Sequence, residues 1–374
     1  MTKSFRVGRI FGIDIEVDYT WFIVFFLLAA VLSMDILATR LPHLSLGMRW
    51  VVAAFTTVLF FGSVLLHEIS HSLVAKAEGL TISGITLFIF GGVSKMTDEP
   101  KSAAAEFKIA IAGPLMSLLL AVLCFGLTFA LRPMPGGIVF AVVFGWLGAM
   151  NGMLAVFNLL PGFPLDGGRV LRAGLWKAMA SLADATRIAA TFGQALGILM
   201  IVGGIFFFLI ARDAGFLWLA LIGWFLTQMA QSSYQQVVLR QALSVVPVSQ
   251  AMTAQVQAVP ADMPLDRIVN DYIMAYNHPA FPVLDGDRLL GLLCLTDIQR
   301  VPRETWAHAT AGDTVPPLTE QYMIAPQATA WDALIRMTTE NCGRLLVVED
   351  GLVRGIISRT DIMRLMRMRM QLGV

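Results

Sequence analysis

Six apolar stretches, each close to the length that carries a helix across a lipid bilayer, constrain this chain more than any other feature. They fall near residues 20–36, 50–66, 109–131, 137–160, 189–211 and 216–231. A helix needs about 20 mostly apolar residues to cross the hydrocarbon core, and a helix suits that medium because its backbone groups bond within the segment. Composition agrees: 57% of the 374 residues are hydrophobic and 14% are charged, against about 25% charged in an ordinary soluble domain. The expected class is therefore a polytopic α-helical membrane protein of about six transmembrane helices. A net charge of +1 gives no electrostatic reason to expect a nucleic-acid partner. Cys124, Cys294 and Cys342 stand singly, without a paired spacing. Any metal would then take histidine and carboxylate ligands.

Basic residues orient the spans. Lys3, Arg6 and Arg9 precede the first run. Lys76, Lys95, Lys101 and Lys108 lie between the second and third, and Arg169, Arg172, Lys177 and Arg187 between the fourth and fifth. The other side holds only Arg40, Arg49, Arg132 and Arg212. The excess places both termini in the cytoplasm of a multi-pass protein of the inner (plasma) membrane, which an even number of spans permits. The first residues lack a small-residue cleavage pattern, so no removable signal peptide is expected.

One segment breaks the helical pattern. Residues 80–96, LTISGITLFIFGGVSKM, are dense in β-branched side chains and contain Gly91-Gly92, which predicts a strand. Extended backbone at membrane depth needs partners within protein or in a wet cavity. A polypeptide substrate adding as a strand is one such partner, and a plain cytoplasmic hairpin is the alternative.

Beyond Tyr234 the composition turns to that of a soluble protein, and an internal repeat follows. The segment from Phe281, FPVLDGDRLLGLLCLTDIQR, aligns at an offset of 64 positions with LLVVEDGLVRGIISRTDIMR from Leu345. Val283 falls on Val347, Gly291 on Gly355, Thr296 on Thr360 and Asp297 on Asp361. Each copy reads as a helix, a two-stranded hairpin and a second helix opened by Thr-Asp, and two such units bury their apolar faces against each other. The division expected is a membrane domain over 1–238, a linker over 239–248, and repeats over 249–305 and 306–374.

The second apolar run ends in LLHEISHSLVAKAEG, with His67, Glu68 and His71 at the H-E-x-x-H spacing. Residues four apart share a helix face, so both imidazoles reach one ion, and Glu68 stands beside them as a general base rather than a ligand. Ionisable groups in an apolar run are costly and usually functional. A catalytic zinc site takes three protein ligands and leaves one position open. Asp166, after a proline-broken helix end and before Gly167-Gly168, is the best candidate for the third. A turn or helix-capping aspartate is the competing reading.

These motifs resemble the site-2 protease family of intramembrane zinc metalloproteases (peptidase family M50), in the branch with paired cystathionine-β-synthase-type (CBS) domains. The family's HExxHxxxAxxxG is matched by His67, Glu68, His71, Ala75 and Gly79, and its NxxPxxxLDG by Asn158, Pro161, Leu165, Asp166 and Gly167. Its glycine pair is matched by Gly91-Gly92, and its EFxIAxAGP by residues 106–114. The resemblance implies a membrane-associated β element among the helices and one zinc ion held by His67, His71 and Asp166, with Glu68 catalytic. It implies hydrolysis of peptide bonds in or near transmembrane segments of single-span membrane proteins. Gly91, Gly92 and Asn158 are implied in substrate positioning, with a packing role for the Asn158 amide as the alternative. For the repeats it implies a soluble α/β CBS pair that forms a homodimer and binds ATP, ADP or AMP through Thr296, Asp297, Thr360 and Asp361. Those four residues serve equally as helix caps, which leaves a purely structural pair as the alternative. An inactive zinc-holding scaffold and a CBS-regulated transporter are the competing functions.

Overall fold

In this computed structural model the described residues are 4–372 except 90, 97, 98, 255, 277, 287 and 341, with backbone alone for 96 and 369–372. The chain divides into two units, Met1–Gln236 and Val237–Val374.

The first unit opens with strands β1 (Ser4–Ile10) and β2 (Ile13–Asp18), then helices α1 (Thr20–Arg40) and α2 (Leu46–Ala77). Strands β3 (Ile82–Phe88) and β4 (Gly91–Met96) follow. The remaining helices are α3 (Ala103–Leu131), α4 (Gly137–Asn158), the short α5 (Asp166–Met179), α6 (Leu182–Ala211) and α7 (Gly215–Ser244), which runs on into the second unit. Five of these, α1 to α4 and α6, are long and apolar enough to cross a membrane. The sixth apolar run lies in α7, where Gln228 and Gln231 dilute it. The expected polar turn before α7 is present: Arg212 adopts φ 54°, and Asp213 accepts the Gly215 amide at 2.8 Å.

These helices reverse the usual distribution of polarity. Val122, Phe129 and Leu199 are 64%, 74% and 68% exposed, while Thr56, Thr57, Ser72, Ser117 and Thr186 are buried. Large apolar groups outside and small polar groups between helices suit a lipid solvent, where close backbone approach and hydrogen bonding hold helices together. Helices α6 and α7 show the consequence. A Cβ on Gly197 would lie 2.6 Å from the Gly223 carbonyl, and one on Gly223 would lie 2.5 Å from that of Gly197.

The segment expected to be a strand contains two, paired as a hairpin, and Gly91 and Gly92 open the second of them, β4. Gly91 adopts φ 130°, a conformation that favours glycine. Phe90, within the expected strand, lies outside the described residues. The hairpin belongs to a four-stranded sheet in the order β1-β2-β3-β4, with β2 and β3 parallel and the other pairs antiparallel. The N-terminal strands were not expected: residues 4–18 carry frequent charges, but Ile13, Ile15 and Val17 alternate with Asp14, Glu16 and Asp18, which is the period-2 signal of β2. The parallel pairing requires a crossover, which α1 and α2 supply. Ile13, Ile15, Ile82 and Ile85 pack with Ile69 and Ala75 of α2 and Ile109 of α3. The sheet is thereby seated on the end of α2 that carries the histidines.

The second unit contains two copies of one motif. Strands β5 (Val259–Pro260), β6 (Ala280–Asp285) and β7 (Arg288–Cys294) form one sheet, and β8 (Met323–Ile324), β9 (Arg344–Glu349) and β10 (Leu352–Ser358) the other. The repeat seen in the sequence is preserved in register: Val283 pairs with Gly291, and Val347 with Gly355. Both glycines face backbone at close range, Gly291 at the Pro316 carbonyl and Gly355 at that of Thr253. Each copy has its own apolar core, one around Val259, Phe281 and Leu293, the other around Val347, Ile357 and Ile362. The segment expected as a linker contributes Leu243, Val246 and Val248 to the latter core.

Candidate metal centre

His67 stands ten residues before the end of α2, or about 15 Å along its axis. One turn later comes His71, on the same face, and both side chains are buried. Asp166 arrives from elsewhere, as the first residue of α5 after the turn that follows α4. The glycines behind it permit this approach. A Cβ on Gly167 or Gly168 would run into the backbone of Leu159 or Gly162.

Three atoms converge: Nε2 of His67, Nε2 of His71 and Oδ2 of Asp166 are 3.2 Å from one another on every side. Around a zinc ion with bonds of about 2.0–2.1 Å, tetrahedral ligand atoms stand about 3.3 Å apart. The triangle matches that spacing.

The hydrogen bonds behind the rings explain why the facing atoms are lone pairs. Nδ1 of His71 lies 2.6 Å from the carbonyl oxygen of Ile109 on α3. A carbonyl only accepts, so the proton sits on Nδ1 and Nε2 is free to ligate. Nδ1 of His67 meets the buried Ser117 hydroxyl at 2.9 Å, again on α3. Such partners behind a ligating imidazole set its tautomer and tilt. With a carboxylate as the third group, a cation is what satisfies all three at once. The residues present therefore fit zinc.

Glu68 is half-buried beside the pair. Its Oε2 accepts from Ser94 of β4 at 3.1 Å, and the Ser94 hydroxyl is 3.1 Å from that of Ser72. Gly92 packs against its stem, since a Cβ there would lie 2.5 Å from Glu68 Cγ. The edge strand of the sheet thus runs directly past this carboxylate. Asn158 ends α4, half-buried, just before the turn that leads to Asp166.

A family model for peptidase family M50 matches residues 55–138 and 136–203, and one for the CBS domain matches 248–304 and 315–367. A protein of Synechocystis sp. named as a zinc metalloprotease is 33% identical over 97% of this chain and 96% of its own length. Another so named, from Mycobacterium tuberculosis, is 32% identical over 98% of this chain and 93% of its own length. The chain belongs to peptidase family M50. The site-2 protease of Methanocaldococcus jannaschii, a solved structure, is 33% identical to this M50 chain, covers 62% of it and 94% of itself, and superposes with a TM-score of 0.44. In this peptidase the HExxH helix and the LDG turn, about a hundred residues apart in sequence, form one metal-competent cluster, as their motifs imply.

The sequence motif at residues 106–114 does not announce that α3 faces the metal centre, and Ser117 lies beyond it. Glu106, Ile109, Gly113 and Ser117 lie at intervals of three and four, and that period was the available signal, obscured because Ile109 and Gly113 are themselves apolar in an apolar run. Gly113 is the most constrained of them. A Cβ there would collide with Nε2 of both histidines.

The two Thr-Asp pairs lie differently. Asp297 Oδ2 accepts the Cys294 amide and Asp361 Oδ2 the Ser358 amide, each at 3.0 Å, so both aspartates cap helices. Thr296 and Asp297 also line a cavity of about 600 Å³ with Arg300, Tyr322 and Arg344.

Gly113→Ala is expected to reduce bound zinc from about one ion per chain to about a tenth of that, with far-ultraviolet helicity unchanged. Elemental analysis of the purified protein checks this, and full zinc occupancy would show that the rings are not where the structure puts them.

Proposed function

We propose that the protein is a zinc-dependent intramembrane endopeptidase in which His67, His71 and Asp166 hold the metal and Glu68 is the catalytic base. The observation that carries this reading is the 3.2 Å triangle of ligand atoms with Glu68 beside it. Zinc bound there supplies a Lewis acid that polarises a peptide carbonyl and acidifies water toward a pKa of about 7. Glu68 takes the proton released as water attacks and delivers it to the departing amine nitrogen. Ser94 steadies the carboxylate from the opposite side. An inert scaffold has no use for a base held in that position. A transporter would distribute ionisable groups along a path, whereas among the described residues the buried ones are Asp18, His67, His71, Glu106 and Arg172, and the last four lie at or against the metal centre.

The substrates proposed are single-span membrane proteins. A transmembrane helix keeps its carbonyls bonded internally, so cleavage requires local unwinding. Strand β4 has β3 on one side and is an edge of the sheet on the other. An unwound segment pairing with that edge recovers part of its lost backbone hydrogen bonding. Gly92 keeps the edge close to Glu68, and Gly91, beside it, and Asn158, in the turn before Asp166, are proposed with it to position the substrate.

The topology proposed has six spans, with α7 as the sixth and the β element at the cytoplasmic face of the plasma membrane. The close α6–α7 backbone contacts support it, as does the lysine and arginine bias. Both termini are then cytoplasmic. The proposed domains are 1–238 for the protease, 239–248 joining it to the pair, and 249–305 and 306–374 for the CBS repeats. The cavity at Thr296 and Asp297, with Arg300 and Arg344 to meet phosphate and Tyr322 to meet a base, is proposed to bind ATP, ADP or AMP. Thr360 and Asp361 are proposed as the matching pair in the second repeat, in a homodimer joined through the CBS pairs.

Three outcomes test these readings. Glu68→Gln should keep its zinc while cleavage of a model membrane substrate in detergent falls by about a hundredfold or more; undiminished turnover would remove Glu68 as the base. Methylating backbone amides of a substrate segment one at a time should slow cleavage at every second position, and a uniform response would rule out strand pairing. Calorimetric titration of the full-length protein should show saturable binding of ATP, ADP or AMP that weakens about tenfold or more in Arg344→Ala; absence of binding at about 1 mM would leave the pair a structural module.

A further inference from the structure

Helix α3 meets the metal centre along a single stripe. Glu106, Ile109, Gly113 and Ser117 follow at steps of three, four and four residues, which on a helix is one face. Ile109 and Ser117 bond the Nδ1 atoms of His71 and His67, and Gly113 leaves room for their Nε2 atoms. Glu106 begins the stripe and bonds neither histidine. It is fully buried, and its Oε1 accepts from Nε of Arg172 at 2.7 Å and from Nη2 of the same guanidinium. Arg169 Nε is 4.0 Å away. Both arginines belong to α5, the helix that begins with Asp166. The Arg172 guanidinium also lies over the Phe163 ring, 4.9 Å from its centroid, and so grips the turn that delivers Asp166.

We infer that Glu106 and Arg172 are positioning residues for the third metal ligand. The ion pair docks α5 onto the same face of α3 that orients the two histidines, so all three ligands take their positions from one helix. The inference rests on the reading that His67, His71 and Asp166 bind zinc.

An ion pair restrains a helix in a way that an apolar contact does not. Withdrawing a carboxylate and a guanidinium from water costs much of what their attraction returns, and apolar side chains of similar volume often hold two helices as firmly. An apolar contact, however, tolerates rotation, whereas a guanidinium fork held through two N–H donors on one carboxylate oxygen and lying over the Phe163 ring allows far less. Asp166 needs that restraint. A turn of about 10° about the α5 axis, at a radius of about 6 Å, moves its carboxylate by about 1 Å. Metal bonds tolerate only about 0.2 Å.

The test uses the full-length protein in detergent, loaded with zinc or with cobalt(II) as a spectroscopic probe. Glu106→Leu combined with Arg172→Met removes both charges and leaves an apolar contact. This double variant should unfold at or above the wild-type temperature yet bind zinc about 10- to 100-fold more weakly in chelator competition. The visible absorption of its cobalt form should also change, as the ligand geometry loosens. Wild-type zinc affinity and an unchanged cobalt spectrum would overturn the inference. Should the double variant fail to fold, Arg172→Lys, which keeps the charge but not the fork, decides on the same scale. Asp166→Ala is the control: if it binds zinc like the wild type, the metal reading itself fails rather than the role of the pair.

Discussion

Three electron-pair donors brought within 3.2 Å of each other inside an apolar protein form an arrangement that demands a cation. Without one, two imidazole nitrogens and a carboxylate oxygen face each other across a space with little water to screen them. The rest of the membrane unit can be read as the means of holding them there. A 32-residue helix supplies two of the donors from one face, and a short amphipathic helix, entered through a glycine-backed turn, supplies the third. Between them stands α3, with a carbonyl and a hydroxyl to fix the rings and a glycine where any side chain would occupy the metal's place.

That arrangement also explains why this helix is polar on one stripe and apolar elsewhere. In a lipid solvent no hydrophobic force drives helices together, so specificity comes from close approach and from buried polar contacts. Ser117, Gly113, the Ile109 carbonyl and Glu106 provide both kinds on one face, and Val122 and Phe129 face outward. The membrane environment and the catalytic centre impose compatible demands on the same stretch of sequence.

Much of this is legible in the sequence. The HExxH spacing places two ligands on one helix face, because helix geometry leaves no other arrangement for residues four apart. The partnership with Asp166 was legible only as a vacancy in the ligand set and through family resemblance, since nothing local to a proline-broken turn says what it faces. The CBS repeat was legible to the residue, and Val283–Gly291 and Val347–Gly355 share one register. What could not be read was tertiary. The alternation of Ile13, Ile15 and Val17 with Asp14, Glu16 and Asp18 marks β2 as a strand but does not announce the parallel partner β3 that it joins. Ile109 acts through its backbone, which side-chain identity does not announce. Glu106 was visible only as part of a motif, because its partner lies 66 residues away.

The edge strand presents a last constraint, in which geometry and chemistry meet. Glu68 is held between the histidine pair on its own helix and β4 on the other side, where Ser94 donates to it and Gly92 leaves space for its stem. A side chain larger than hydrogen at 92 would push the carboxylate aside, so this glycine serves Glu68 as much as the strand. A peptide paired along that edge would necessarily bear on the strand that holds the carboxylate. Backbone recognition and proton transfer would then share one mechanical element, and an extended segment would be both what the strand can accept and what the base can reach. A helical segment in the bilayer would satisfy neither requirement, so under this proposal hydrolysis would be confined to stretches that have already unwound.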